Sequence, residues 1–403
     1  MKPSTRSVQM FLFLVGITTS FSFSSVGVVY YGEILMAIVA PWCFLHHCRD
    51  RGFLNRAVLI QFGCLSITIV AYIVADLVNQ TELDNAIRGW GRLFVIVTNI
   101  LFLYSLCGDR PVNLRAFCFG TVVGDLTVGV LYDHSGYPWK SAYGVPLTML
   151  LVLAMSAPRR RITGLLGAGV FLALAAVHMI LDFRSFSALC LFLSLVFFYS
   201  YSNKTKTDRV GLLRMVPVMI VGLGLIYLLY QDSNGLYDGR RRDSNAYRKS
   251  GYVTTLAAIS RSPLLGSGSW SRESEFQMIF QQTLADEGSS LNAEYEAHSQ
   301  ILQTWYEGGI FATVFLLYLG YQIARSSLYV LRRRATDSLT LLYCFFLILS
   351  SWDLFMSPFA GWLRLRVSIM ATIVLMLEKE RQKDVSIFRW RITRSRVAEC
   401  TSP

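Results

Sequence analysis

Apolar stretches recur along the whole chain and are separated by shorter polar stretches. Many hold roughly 17 to 25 residues, the length that an α-helix needs to cross a hydrocarbon core about 30 Å thick. Because backbone groups in lipid must be hydrogen-bonded internally, each stretch predicts a transmembrane helix. The predicted spans, about twelve, lie near 9–25, 27–46, 57–78, 90–107, 116–132, 143–156, 164–181, 187–201, 215–230, 300–323, 339–356 and 360–377.

This pattern predicts an all-α, polytopic membrane protein whose residues 1–403 form one membrane domain. A long polar segment, residues 231–298, separates the ninth and tenth predicted spans. Within it, Tyr252 to Ile259 is apolar enough to form a short helix on the membrane surface, ended by Ser262 and Pro263. The sequence has no recognisable internal repeat, which argues against a transporter built from repeats.

Composition agrees with a membrane protein and excludes a water-soluble one. The chain is 53% hydrophobic and 16% charged, with a mean hydropathy of +0.44, too apolar for the surface of a soluble domain. The first apolar stretch follows only Lys2 and Arg6 and is followed by many others. It is therefore interpreted as a first transmembrane helix and not as a cleaved signal peptide.

The positions of the charged residues along the chain explain the net charge of +12. Basic residues cluster in alternate short loops and in the tail, which predicts that these loops and both termini are cytoplasmic. Residues 231–298 then lie on the outer face. Since the charge follows the membrane topology, nucleic acid is not an expected partner, and the basic tail is expected to rest on anionic lipid.

The eight cysteines (43, 48, 64, 107, 118, 190, 344 and 400) lie in apolar stretches or beside predicted cytoplasmic loops. We therefore expect neither disulfides nor a metal cluster. No phosphate-binding loop, dinucleotide fingerprint or zinc spacing occurs in the outer segment. An anionic substrate would have to be held mainly by arginines.

The segment Glu294 to Gly309 carries the strongest candidate for chemistry. His298 is the only histidine in the long polar segment and immediately precedes the tenth predicted span. With an ordinary pKa near 6.5, histidine is suited to accept a proton from a hydroxyl. If the helix began one turn earlier, Glu294 at i−4 would share its face and orient the ring, whereas Glu307 would point away. An ordinary interfacial histidine is the alternative.

Two arginines are candidates for binding an anion on the outer face. Arg184 lies in a tight turn between two apolar helices, where its charge favours an anionic partner, with Asp182 or a lipid phosphate as alternatives. Arg248 follows the basic run Arg240 to Arg242, so it could instead belong to a surface that faces lipid headgroups.

Further ionisable residues occur near the outer ends of the predicted spans, where they could form ion pairs between helices. Asp125 lies deepest, and its role, like that of Asp353, is not apparent from the sequence. The set comprises Glu33, Asp76, Arg88, Arg92, Asp353, Arg364 and Arg366.

Several spacings resemble those of the O-antigen ligases and the related Wzy-type polysaccharide polymerases. His298, Gln303, Glu307 and Gly309 match, in register, a family pattern of His-Asn, Leu-Gln and Glu-x-Gly at the start of a helix. Ser299 stands where that family usually has Asn, which leaves open what the Asn amide positions. Arg248 and Arg184 also match arginines of the family pattern.

Arg248 precedes Pro263 by fifteen residues, as a family arginine precedes a Pro-Leu-hydrophobic-Gly-x-Gly turn, here Pro263 to Gly268. Arg184, followed by Ser, matches an arginine on the outer face. Ala312 replaces a second family glycine, a change expected to affect packing only. The resemblance is loose for the overall topology and closer over residues 182–312.

The resemblance implies a GT-C-like membrane glycosyltransferase of the bacterial inner membrane, with its site facing the periplasm. It would transfer a glycan from undecaprenyl diphosphate to a hydroxyl, with inversion and without a metal or cofactor. His298 would be the catalytic base, Arg184 and Arg248 would bind the diphosphate, and Glu294 and Gln303 would support them. Its partners would be this donor, an acceptor that is lipid A-core or another glycan, and membrane lipids.

O-antigen ligase is the favoured activity, with lipid A-core as acceptor. A polymerase extending O-antigen or exopolysaccharide, or transfer to a periplasmic protein, would use the same chemistry with another acceptor. A flippase for lipid-linked oligosaccharides, or another transporter, is the alternative from a different class. It predicts ionisable residues at mid-membrane depth and repeat symmetry.

Overall fold

The fold was determined as a computed structural model, which describes residues 5–25, 27–47, 54–132, 138–156, 164–202, 224, 234–271, 273–289, 291–332, 340–359, 361 and 363–401. This part of the chain is largely helical. The α-helices are α1 (Thr5–Thr18), α2 (Tyr31–His47), α3 (Arg56–Val78), α4 (Leu83–Cys107), α5 (Pro111–Tyr132), α6 (Gly144–Met155), α7 (Gly164–Ile180), α8 (Arg184–Ser202), α9 (Asn234–Arg261), α10 (Ser274–Asp286), α11 (Gln300–Ala312), α12 (Val314–Arg332), α13 (Thr340–Met356) and α14 (Leu363–Thr401). A π-helix, Trp139–Tyr143, leads into α6.

Three of these helices, α3, α4 and α5, are each long and apolar enough to cross a membrane. A bent pair, Gln300–Ala312 and Val314–Val330, meets at 108° and forms either a broken span or a re-entrant loop. Five shorter apolar helices, α1, α6, α7, α13 and part of α8, accompany them. The chain is therefore a polytopic membrane protein, as predicted, whereas the number of twelve spans and the GT-C-like topology remain predictions.

Local sequence explains where the long helices begin. Asn55 caps α3, and its side chain accepts hydrogen bonds from the backbone N–H groups of Ala57 and Val58 at 3.0 and 3.1 Å, donors that a helix start otherwise leaves unpaired.

The predicted ninth span, 215–230, lies outside the described residues except for Gly224.

The described residues confirm the all-α class, but one small hairpin changes the boundaries of the first two predicted spans. The first helix ends at Thr18 and not near residue 25, and a two-stranded antiparallel hairpin follows, β1 (Ser22–Ser25) and β2 (Gly27–Tyr30). The strands pair Ser22 with Tyr30 and Phe23 with Val29. The β-branched and aromatic residues Val28, Val29 and Tyr30 favour a strand over a helix there, so the apolar content of this stretch misled the span prediction.

The predicted tenth span is also not one straight helix. Gly309, with φ 74° and ψ −176°, breaks the helical path inside α11, shortly before α12 begins at Val314. This combination of φ and ψ is essentially restricted to glycine. The break turns the chain sharply at the outer end of the membrane domain, close to the candidate residues.

The long polar segment is more ordered than the sequence suggested. Its helix α9 has 28 residues and includes the short helix predicted at residues 252–259; it ends at Arg261, before Pro263, as predicted. The second helix, α10, packs on α9 through small apolar clusters that include Ala258 with Phe276 and Ala246 with Phe280. An extended stretch then leads to α11.

Candidate functional site

His298 is held against the outer helix α9. Its ring meets the ring of Tyr247 edge-on, with 5.0 Å between centroids, and the Tyr247 hydroxyl donates a hydrogen bond to the carbonyl of Glu294 at 3.0 Å. One turn further along α9, a Cβ at Gly251 would lie 2.9 Å from the carbonyl oxygen of Glu296. A glycine is therefore needed for α9 to approach the stretch that carries His298.

His298 is half-buried, and its surroundings keep the imidazole neutral. Burial and then the positive charge of Arg248 lower the pKa of His298 to about 4, although the main-chain carbonyl of Glu296 acts in the opposite direction. Nδ1 is buried and has no hydrogen-bond partner among the described residues. A neutral imidazole at pH 7 can accept a proton.

Arg248 lies between the other two candidates. Burial and then the charge of Arg184 lower the pKa of Arg248, while Tyr252 and Asp182 act in the opposite direction. Since its charge also acts on His298, the fold brings together three residues that lie 64 and 50 positions apart in the sequence (248 − 184 and 298 − 248). Two guanidinium groups near each other repel unless an anion lies between them.

Arg184 is positioned by the turn between α7 and α8. Asp182 adopts φ 57°, and its Oδ1 lies 3.9 Å from Nε of Arg184, which begins α8. Nη2 of Arg184 lies 3.4 Å from Oδ1 of Asn245 in α9. The pairing with Asp182 considered above is thus present at long range, and Arg184 still reaches towards α9.

The predicted helical relationship between Glu294 and His298 is wrong. The helix begins at Gln300, because Ser299 is its extended N-cap and accepts a hydrogen bond from the Leu302 N–H at 3.3 Å. Glu294 lies in the preceding non-helical stretch and touches α9 through its main-chain carbonyl. Sequence reasoning missed Tyr247, which packs on the His298 ring; its position next to Arg248 was the available signal.

Ser299, at the position where the family usually has Asn, has two structural contacts. Besides capping α11, its hydroxyl donates to the carbonyl of Leu354 in α13 at 3.1 Å. The start of α11, directly after His298, is thereby tied to the membrane domain.

Gln303 supports Glu307 and does not contact the candidate base through a hydrogen bond. Its amide nitrogen donates to Oε1 of Glu307 at 3.0 Å, and its carbonyl accepts from the Phe359 N–H at 2.6 Å. Oε2 of Glu307 forms an ion pair with Arg92 and accepts from the Tyr72 hydroxyl at 2.7 Å. All four side chains are buried. This network joins α3, α4, α11 and the loop after α13.

The Pro263 to Gly268 turn supports the break between α11 and α12. The N–H groups of Ser267 and Gly268 donate to the carbonyls of Tyr306 and Glu307 at 2.8 and 2.9 Å. The Ile310 N–H donates to the Pro263 carbonyl at 3.1 Å. The turn therefore forms hydrogen bonds with backbone groups that the break in the helix would otherwise leave unpaired.

Other predicted ionisable residues form buried ion pairs in the membrane domain, which confirms that part of the prediction. Arg364 pairs with Glu33, and Arg366 with Asp353 at 3.1 Å. Asp125 accepts a hydrogen bond from Ser20 at 2.6 Å. Among the described residues, no group of three or more His, Cys, Asp or Glu side chains is placed to hold a metal ion.

The fold defines a polytopic membrane protein whose candidate site comprises Arg184 at the start of α8, Arg248 in α9 and His298 before α11. Residues 147–317 match the family model described as O-antigen ligase, which confirms the resemblance over that part of the chain. The matched segment includes Arg184, Arg248 and His298. No curated protein matches the chain. The family supports O-antigen ligase or related polymerase function in the broad sense, with lipid-linked glycan and acceptor substrates in a membrane.

Proposed function

We propose that the protein is an O-antigen ligase that transfers a glycan from undecaprenyl diphosphate to a sugar hydroxyl of lipid A-core. The observation that carries this proposal is that α9 meets both other candidates: Oδ1 of Asn245 lies 3.4 Å from Nη2 of Arg184, and the ring of Tyr247, next to Arg248, packs on the His298 ring. A binding region for an anion thus adjoins a neutral proton acceptor. Both are required when a diphosphate leaves and a hydroxyl attacks.

The reaction is a single displacement. The acceptor oxygen attacks the anomeric carbon while its proton passes to His298, and the bond from that carbon to the diphosphate oxygen breaks. The electron pair leaves with the diphosphate, whose developing charge Arg184 and Arg248 stabilise by charge-assisted hydrogen bonds. Attack opposite the leaving group inverts the anomeric centre. Proton transfer of this kind contributes about 10² to 10⁴ in rate.

The proposed reaction requires no metal and no organic cofactor. The cationic side chains supply the charge that a divalent ion would otherwise bring to a diphosphate. Bound diphosphate would also reduce the effect of Arg248 on His298, so that the pKa of His298 rises and the imidazole becomes a better base.

The proposed setting is the bacterial inner membrane, with both termini in the cytoplasm and the site facing the periplasm. The distribution of Lys and Arg between alternate loops supports this orientation. The long apolar helices α3 to α5 support a membrane-embedded body, and in this proposal α9, α10 and the stretch to His298 belong to its outer face.

Reconstitution with undecaprenyl diphosphate-linked glycan, lipid A-core and a chelator tests the proposal. Wild type should place the glycan on lipid A-core, and His298→Ala, Arg184→Ala and Arg248→Ala should each abolish transfer. Arg242→Ala is the matched control, since Arg242 is an exposed arginine on the same helix as Arg248; it should retain most activity.

The products separate the alternatives. Longer glycans that remain on undecaprenyl diphosphate would identify a polymerase. Full activity of His298→Ala would remove the proposed base, and a dependence on divalent ions would remove the metal-independent mechanism. Translocation of a labelled lipid-linked glycan without a new glycosidic bond would identify a transporter.

A further inference from the structure

A cavity of about 280 Å³ lies beside His298 and differs in character from the arginine side. Four aromatic residues line it, Tyr247, Trp270, Tyr295 and Tyr306. Three glutamates, Glu294, Glu296 and Glu307, also line it. Among the described lining residues there is no Lys or Arg. Its volume is near the lower end of the roughly 300–1,000 Å³ typical of small-molecule sites, which suits one small sugar unit.

The cavity adjoins the candidate base through Tyr247 and through the chain itself. The ring of Tyr247 packs on His298 and also lines the cavity. Ala297, the residue before His298, lines it as well. Since neighbouring positions of a helix point about 100° apart, Arg248 lies on a different face of α9. One helix thus separates an arginine side from an acidic, aromatic side.

The electrostatic character of the cavity is negative. Burial and then the charges of Glu296 and Glu294 raise the pKa of Tyr247 to about 12. The charge of Glu307 is compensated by its ion pair with Arg92. Negative charge next to the site disfavours a second diphosphate, and carboxylate oxygens are able to accept hydrogen bonds from hydroxyl groups.

Trp270 contributes an unused donor. Its indole Nε1 is buried and has no hydrogen-bond partner among the described residues. The ring is held by the Arg92 guanidinium, which lies 5.7 Å from its centroid. Buried indole N–H groups usually have a partner, and an oxygen of a bound ligand would supply one.

We propose that this cavity binds the acceptor, as a neutral sugar ring without phosphate next to the reacting hydroxyl. This inference rests on the proposed function and assigns the second substrate to a side of His298. The aromatic faces pack on the apolar C–H faces of the sugar, Trp270 Nε1 donates to a sugar oxygen, and Glu296 accepts a sugar hydroxyl. The donor diphosphate occupies the opposite, arginine side, so His298 lies between the two substrates.

Two readouts test this inference. Saturation-transfer NMR of the purified protein would use phosphate-free core oligosaccharide and lipid-free glycan repeat unit from the source cells, with inorganic pyrophosphate as competitor. Steady-state transfer assays would determine KM separately for donor and acceptor. The variants are Trp270→Leu, which removes the ring and the donor, and Glu294→Gln with Glu296→Gln, which keeps side-chain size. Glu275→Gln is the matched control, because Glu275 is exposed and paired with Arg261.

In the wild type, one of the two oligosaccharides should receive saturation, and pyrophosphate should not displace it. Trp270→Leu should weaken its binding and raise acceptor KM about tenfold or more, as expected from losing an aromatic contact and a hydrogen bond. The double glutamate variant should raise acceptor KM about tenfold, leave donor KM within about twofold, and bind phosphorylated sugar better than wild type does. Glu275→Gln should resemble wild type.

Displacement by pyrophosphate, or an unchanged acceptor KM in both variants while transfer proceeds, would overturn the acceptor cavity and leave the proposed function intact. Failure of the proposed function has a different signature, since the oligosaccharide would then bind in NMR while no glycosidic bond forms. Binding of neither oligosaccharide to folded wild-type protein would also overturn the cavity assignment.

Discussion

Arg92 in α4 forms a buried ion pair with Glu307 in α11, 215 residues further along the chain. The same guanidinium donates to the main-chain carbonyl of Phe359 at 2.8 Å, and its charged carbon lies 4.7 Å from the Phe359 ring centroid. The pair therefore fixes the last turn of α11, just before the break at Gly309, to the body of the protein.

Arg92→Ala should destabilise the protein strongly. Removing one partner of a buried ion pair leaves the other charge uncompensated and costs about 3–5 kcal/mol. Chemical unfolding in detergent micelles measures the loss. Lys249→Ala is the control, because it removes an exposed partner of Glu287 and should cost about 0–1 kcal/mol. Equal losses in the two variants would contradict a structural role for the buried pair.

Gly309→Ala should disrupt the break between α11 and α12. Its φ of 74° with ψ of −176° disfavours a side chain, and a Cβ would lie 2.0 Å from the carbonyl oxygen of Leu264. We expect loss of transfer activity and a thermal midpoint lowered by several degrees. Gly63→Ala, in α3 with nothing within 4 Å of its Cβ, should be neutral or slightly stabilising. A fully active, equally stable Gly309→Ala would show that the break is not needed.

Arg248→Gln should raise the pKa of His298. The positive charge of Arg248 disfavours the imidazolium, so its removal moves the pKa upward from about 4, while burial keeps it below the ordinary value near 6.5. As the pH is lowered, the imidazole of the variant would become protonated at a higher pH than that of the wild type. It would therefore stop accepting a proton at that higher pH. NMR titration of labelled histidines measures this directly.

Assignment of that titration is practical because the chain has five histidines and His298→Gln removes one signal. Arg242→Gln, on the same helix, is the charge-matched control and should leave the titration unchanged. A downward shift in Arg248→Gln would contradict the proximity of the two residues.

Ser299→Ala should weaken the start of α11. It removes the N-cap acceptor for Leu302 and the donor to the Leu354 carbonyl, and loss of an N-cap costs about 1 kcal/mol. Ser299→Asn, which restores the residue usual in the family, keeps an N-cap and should preserve stability and transfer. Thermal unfolding and the transfer assay compare the two. If Ala and Asn behave alike, the cap does not matter to the site.

The element positions were largely predictable because lipid restricts the backbone to a few solutions. Spans predicted at 57–78 and 116–132 agree with α3 and α5, and α4 contains the one predicted at 90–107. The candidate residues Arg184, Arg248 and His298 were found from their residue types, their position on the outer face and family spacings. The fold brings these three residues together, which agrees with the proposed glycan transfer. Their catalytic roles remain predictions.

Other features could not be found in the sequence because they depend on packing between distant segments. Hydrophobicity does not reveal that Gly309 breaks a helix, since glycines occur in many apolar helices of this chain. The break depends on the distant Pro263–Gly268 turn, which forms hydrogen bonds with the backbone groups that the break leaves unpaired. Glu294 and His298 do not share a helix face because Ser299 caps the helix, and the local sequence allowed either start.

Sequence alone therefore determined that this is a helical membrane protein with basic and proton-accepting residues on one face, because burial in lipid imposes length and polarity locally. Only the tertiary structure decided which charges are paired with an opposite charge and which lie near a like charge. Arg92 is neutralised by Glu307, whereas Arg248 lies near Arg184 and His298. The physical reason is that the energy of a charge depends on neighbours brought within a few ångströms by helix packing, and the linear order of residues does not specify those neighbours.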